Sequence, residues 1–253
     1  MQSIPNNPLL KYTLHLADNV LILGQRLGEW CGHGPVLEQD IAMTNISLDL
    51  IGQARMYYQY AAVLEGAGNS EDHFPYHRDG WDFLNVLLVE QPNGDWGQTI
   101  VRQFLFDSWH YFFLEALSHS KDEQLASIAE KSIKEVAYHL RYSSEWMIRL
   151  GDGTSESHEK MQNGLNTLWR FSEEFFEAAP YEVELFEKQS VHPDQIQQKV
   201  QDKRKEIIER ATLQIPSTEV QQFGGKTGLH TEHLGYILTE LQFVQKSYPG
   251  LEW

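Results

Sequence analysis

Apolar residues recur along this chain at the three-and-four-residue spacing of α-helices almost from end to end, and no segment of useful length alternates as a strand would. A first helix is expected over about 10–30, with Leu14, Leu21 and Gly28 on one stripe and Leu16, Val20, Leu23 and Leu27 beside it. Gly32, Gly34 and Pro35 stop it. A second is expected over about 35–64, with Pro35 in its first turn and Leu37, Ile41, Leu48, Ile51 and Tyr58 at helical spacing. Gly66 and Gly68 end that helix. A connection through Asp72, Pro75 and Gly80 follows, with a short helix over about 81–89 and a turn at Gln91-Pro92-Asn93-Gly94. A third, heavily aromatic helix over about 96–118 carries Phe104, Phe106, Trp109, Tyr111, Phe112 and Phe113, and a fourth runs over about 122–150 to Gly151. Four helices of these lengths predict an all-α, long-helix bundle with its core at about 10–150.

The rest of the chain, about 156–247, predicts additional C-terminal helices. One covers about 156–178 (Met161, Leu165, Leu168, Trp169, Phe175, Phe176), and a charged one follows Pro193 with Ile196, Val200, Ile207 and Ile208 on its apolar stripe. Pro216, Gly224, Gly225 and Gly228 mark a loop before a last helix over about 231–246. Residues 1–253 are read as a single domain.

Composition narrows the function classes. The 253 residues are 41% hydrophobic, so a chain of this length needs neither disulfide nor metal to build a core. Acidic residues outnumber basic ones 36 to 20, a formal charge of −16 that repels nucleic acid and anionic lipid; neither is an expected partner. The one cysteine, Cys31, fits a reducing cytoplasm and is expected to be a small buried residue at a helix end. The opening MQSIPNNPLL lacks a basic region followed by an apolar run, so no signal peptide is expected, and no apolar stretch approaches the ~20 residues of a membrane span.

A bundle with polar residues among its apolar stripes invites comparison with di-iron carboxylate sites. Those need a Glu from each of two helices and a Glu-x-x-His from each of the other two, because two hard cations require several carboxylates. This chain offers only Asp107-Ser108-Trp109-His110, and Glu135 with His139 one turn apart. Asp18, Asn45 and Asp49 are expected as satisfied core polar groups, bonding to arginines such as Arg26 or Arg55. There is no glycine-rich phosphate loop after a strand and no Gly-x-Ser-x-Gly, and Cys31 with His33 is a poor nucleophile pair.

The strings QRLGEWCGHGP, SLDLIGQAR, LLVEQPNGD, IKEVAYHLRYSSEW and GGKTGLHTEHLG, in this order and at these separations, resemble the structural subunits, the C component, of bacterial phenylacetyl-CoA epoxidases. The resemblance covers nearly the whole chain. It implies a ferritin-like fold and a non-catalytic chain that pairs with a homologous catalytic subunit, the holder of the di-iron centre, in aerobic phenylacetate degradation. Partners would be that subunit and the other epoxidase subunits, with a homodimer as the state of the chain alone. No cofactor is expected in this chain. The resemblance also places the lost ligands. Where the catalytic homologue has Asp-Glu-Ala-Gly-His, this chain has Asp49-Leu50-Ile51-Gly52-Gln53, so Leu50 and Gln53 replace Glu and His. Where it has Lys-Glu-Glu-Ser-Phe-His, this chain has Val136 for the second Glu and keeps His139. Leu21, three before Gly24, takes the place of the first-helix Glu, and Asp107 keeps an acid on the third helix. Asp107 and His139 are therefore expected in a residual polar network, bonded to each other or to Gln53. The competing reading is an independent ferritin-like di-iron oxidase or metal-binding protein.

In GGKTGLHTEHLG, His230, Glu232 and His233 stand at a helix start. They are read either as a partner or substrate-linked contact or as plain capping, with Thr231 as N-cap and Glu232 near the helix's positive end.

Overall fold

The computed structural model describes residues 6–186, 188–217, 220–249 and 251. All regular structure among them is helical: α1 (Pro8–Gly28), α2 (Leu37–Glu65), α3 (His73–His77), α4 (Leu87–Glu90), α5 (Trp96–Leu117), α6 (Glu123–Gly151), α7 (Ser155–Leu168), α8 (Pro180–Val183), α9 (Gln197–Arg210) and α10 (Glu232–Ser247), with short 3-10 turns between. The four long helices expected at 10–150 are present, and the fold is all-α with the helix inventory of a ferritin-like bundle. No helix among the described residues is long and apolar enough to cross a membrane.

Local chemistry sets the helix starts. Asn7 Oδ1 accepts from the Leu9 and Leu10 amides (3.1 and 3.3 Å), with Pro8 in the first turn of α1. Asp95, Asp122 and Thr154 accept in the same way from Gln98, Leu125 and Ser157, at the starts of α5, α6 and α7. Gly66, with φ of 68°, closes α2 in the left-handed conformation. The α2 start differs from expectation. Pro35 lies in the turn before it, where Asp40 Oδ2 takes the Gly32 and Gly34 amides at 2.8 and 3.0 Å.

The chain divides into two compact units. The first comprises 1–92, 179–185 and 224–253. Its centre is the antiparallel α1–α2 hairpin, drawn close at Gly24, where an added Cβ would come within 3.1 Å of Ile51. Ser47 Oγ donates to the Gly24 carbonyl at 2.7 Å, adding a polar tie to this close approach. The buried face of α2 is Met43, Ile46, Leu50, Ala54, Tyr57, Tyr58 and Ala61 together with Ser47 and Gln53. The expected stripe is thereby corrected: Leu37, Ile41 and Leu48 are exposed (71%, 51% and 60%). The helix is apolar on more than one side, so spacing alone did not select the buried one. Cys31 is also exposed, in the turn after α1, rather than buried.

The second unit comprises 93–178 and 186–223. Here α5 and α6 run antiparallel, with α7 and α9 packed against them. Trp109 stacks on Phe113 and Phe175 (ring centroids 4.6 and 4.8 Å), and Phe104, Phe106 and Leu105 are fully buried. Arg204 of α9 enters this core almost fully buried, donating to Ser108 Oγ (2.9 Å), the Leu105 carbonyl (2.8 Å) and the Ser172 carbonyl (3.2 Å). Burial lowers its pKa to about 10, partly offset by Glu173, so it remains a cation at neutral pH. The Ser172 carbonyl thus bonds outside any helix ladder. The helix expected over 156–178 stops at Leu168 and continues as 3-10 turns at Trp169–Phe171 and Glu174–Phe176.

Candidate functional site

The candidate positions are distributed over both units, and each unit has its own geometry. In the first, Leu21, Leu50 and Gln53 are buried on the α1–α2 hairpin (6%, 0% and 1% exposed). One turn from Leu21, Asp18 is fully buried and forms an ion pair with Arg78; Tyr58 Oη donates to it at 2.6 Å and the Leu84 amide at 2.9 Å. The expected partners Arg26 and Arg55 are engaged elsewhere: Arg26 with Glu29 and the Glu90 carbonyl, Arg55 with Glu71. Asn45 is exposed and Asp49 half-buried, so neither is a core polar group.

The polar face of α1 organises the connection that follows α2. His15 donates to the Leu84 carbonyl at 2.6 Å, Asp18 accepts from the Leu84 amide, and Asn19 Oδ1 accepts from the Val86 amide at 2.8 Å. Three side chains therefore satisfy backbone groups of Leu84 and Val86, in a stretch that lies outside the helices. The single short helix expected over 81–89 is instead a 3-10 turn at Gly80–Asp82 and the α4 turn at Leu87–Glu90. Burial, with Lys226 adding to it, brings the His15 pKa down to about 4, so the ring is neutral at physiological pH and has one N–H to give.

In the second unit, Asp107, Val136 and His139 are all fully buried. Asp107 accepts from Gln103 Nε2 at 2.7 Å and from Ser143 Oγ at 2.8 Å. Burial pushes its carboxyl from 3.8 up to about 6, against the opposing pull of His139 and those two hydrogen bonds. The hydrogen bonds of Asp107 go to Gln103 and Ser143, and His139 acts on it through charge. His110, beside it, is kept neutral by burial, its pKa falling to about 3. Among the described residues, no three His, Cys, Asp or Glu side chains are grouped as ligands of a metal ion would be.

The GGKTGLHTEHLG segment, in the first unit, is wound tightly over residues 81–90. A Cβ on Gly225 would lie 2.1 Å from the Asn85 carbonyl oxygen, and one on Gly228 2.4 Å from that of Trp81. Lys226 is nearly fully buried against Glu182, with Nζ 3.1 Å from Oε2, and Tyr181 Oη donates to the Lys226 carbonyl. Burial raises the Glu182 pKa, but Lys226, His15 and the Ala179 amide outweigh it, and the net direction is down. These side chains back a cleft of about 390 Å³ lined by Trp81, Leu84, Tyr181 and Lys226. Thr231 is at the N-cap position, yet its hydroxyl makes no cap; it donates to Glu90. Glu90 Oε1 takes the Thr231 amide and hydroxyl (2.6 and 2.7 Å), and Oε2 takes His230 Nδ1 and Asn85 Nδ2 (2.8 and 3.0 Å). Glu232 opens α10 exposed to solvent, and the His233 carbonyl faces Arg26 at 3.5 Å. Arg78, Glu90, Glu182 and Arg204 were not singled out by sequence reading. Only a charged residue inside an otherwise apolar run, as with Glu90 in Val86-Leu87-Leu88-Val89-Glu90, could have flagged one of them.

Two comparisons with known proteins bear on these positions. The chain matches the profile of the phenylacetic acid catabolic protein family over residues 1–253. It is 49% identical over 248 residues to the C subunit of the 1,2-phenylacetyl-CoA epoxidase of Escherichia coli K12, covering 98% of this chain and all of that protein.

Proposed function

Because the chain belongs to the phenylacetic acid catabolic protein family, we propose that it is the non-catalytic structural subunit of a cytoplasmic phenylacetyl-CoA epoxidase. In this reading it pairs with and stabilises a homologous di-iron subunit in phenylacetate catabolism. The observation that carries the reading is the burial of the side chains at the positions that the resemblance pairs with metal ligands. Leu21, Leu50 and Val136 fill them with aliphatic carbon, which has no lone pair to give a metal. Asp107 and His139 alone supply too little negative charge for two iron ions, so the donor set does not fit that group. Exposed apolar side chains support a pairing role: Leu37, Ile41 and Leu48 on α2, and Tyr236 and Phe243 on α10.

The test is co-expression with the candidate catalytic homologue, followed by sizing and iron assay of the complex and of each chain alone. The expected result is a heteromeric complex whose iron follows the partner chain. Near-stoichiometric paired iron in this chain alone, or no association, would sink the reading; the first result would favour an independent di-iron oxidase.

A further inference from the structure

His230, at the foot of α10, has both ring nitrogens against acceptors. Nδ1 lies 2.8 Å from a Glu90 carboxylate oxygen and Nε2 lies 2.9 Å from the Phe83 carbonyl oxygen. A neutral imidazole has a single N–H; it would satisfy one acceptor and turn a lone pair on the other. Only the imidazolium donates to both. Its surroundings fix that demand. The Glu90 side chain is fully buried, and its other three donors, Asn85 Nδ2 and the Thr231 amide and hydroxyl, leave His230 as the one titratable group among its hydrogen-bond donors. The Thr231 contacts take the place of a side-chain cap on α10, so the same carboxylate holds both the histidine and the helix end.

We propose that His230 is carried as an imidazolium and acts as a proton-operated latch, tying the start of α10 to the 83–90 segment while protonated and releasing it when the proton leaves. The proposal stands apart from the structural-subunit reading and survives its failure. The charges that act on the ring are Glu90 on α4 and Asp18, itself paired with Arg78; Arg26 on α1 binds the Glu90 carbonyl, Asp82 precedes Phe83 in the chain, and Glu232 and His233 follow at the start of α10. Burial by itself would strip the proton. The hydrogen bond and charge of Glu90, the Phe83 carbonyl and Asp18 outweigh burial and raise the group above its ordinary 6.5. With the folded value raised, the stabilisation is complete below 6.5 and is lost as pH climbs through the raised value. The latch therefore opens on the alkaline side.

The test uses the full chain labelled with 15N-histidine, followed by NMR from about pH 5.5 to about pH 9. One ring should show both nitrogens protonated near neutrality, titrate above the other histidines and vanish from the spectrum of His230→Gln. Hydrogen exchange of the 231–235 amides, corrected for intrinsic rates, should lose protection by about tenfold per pH unit across the titration window. That loss should be absent in His230→Gln, and Glu90→Gln should move the titration to lower pH. If the variants do not fold, the wild-type ring is assigned through its contact with the Thr231 amide. A neutral tautomer near pH 6, or equal pH dependence in wild type and His230→Gln, overturns the proposal.

Discussion

Both hydrogen bonds to Asp107 come from neutral groups, Gln103 and Ser143, and the carboxyl is fully buried. Its pKa therefore rises to about 6 in the fold from 3.8. The folded chain holds this proton longer than the unfolded chain, so the stability it lends is full below 3.8 and is lost as pH climbs through 6. Ionised Asp107 costs about 3 kcal/mol at neutral pH on that linkage. Asp107→Asn should gain on the wild type by about this amount between pH 4 and 6.5 and then hold level. Urea unfolding of both proteins across that range measures the difference, and a flat difference would remove the argument. At Gly225 the constraint is steric. The Asn85 carbonyl oxygen stands 2.1 Å from where a Cβ would sit, backbone against backbone. Gly225→Ala should lose about 2–3 kcal/mol by thermal or urea unfolding. The sequence displayed these glycines but not what crosses them.

Among the elements, the stretch 83–86 depends on α1 rather than on its own hydrogen bonds, and Arg78 fastens the segment before it. Its guanidinium pairs with buried Asp18 and donates to the Phe74 and Asp82 carbonyls at 2.8 and 2.9 Å. Removing the guanidinium in Arg78→Met leaves a buried carboxylate without its counter-ion, at a cost of about 3–5 kcal/mol. Hydrogen exchange should show the 79–86 amides losing protection first; uniform loss along the chain would argue against this local role. The long helices were legible because their periodicity is local, and the caps of α1, α5, α6 and α7 are local too: Asn7, Asp95, Asp122 and Thr154 each bond two or three residues ahead. The expected helices over 81–89 and 156–178 failed for the opposite reason. Leu84, Val86 and Ser172 give their backbone groups to His15, Asp18, Asn19 and Arg204, all more than thirty residues away in sequence.

Over the chain as a whole, the first compact unit is assembled from three separated stretches. Ending the chain after Phe223 removes α10 and takes three of the four donors from the buried Glu90 carboxylate. The truncated chain should fail to give a cooperative melt by circular dichroism, and a native-like transition would show that α10 is dispensable. Acid should unfold the intact protein. His15 and His110 are held neutral, with pKa values of about 4 and about 3, and each binds a proton on unfolding. Their contributions are complete above 6.5 and fall away toward those values, a few kcal/mol each, which exceeds the opposite trend from Asp107. A urea midpoint that rises on acidification from pH 6.5 to 4 would contradict this sign.

The order of residues alone was enough for the helical class and the rough extents of the long helices, because periodicity is a property of neighbours along the chain. Folding in three dimensions selected which side of α2 is buried, where 83–86 and 169–176 leave the helix, and which donors surround Asp18, Glu90 and Asp107. Those outcomes rest on hydrogen bonds and burial between residues distant in sequence, and a local pattern carries no record of them.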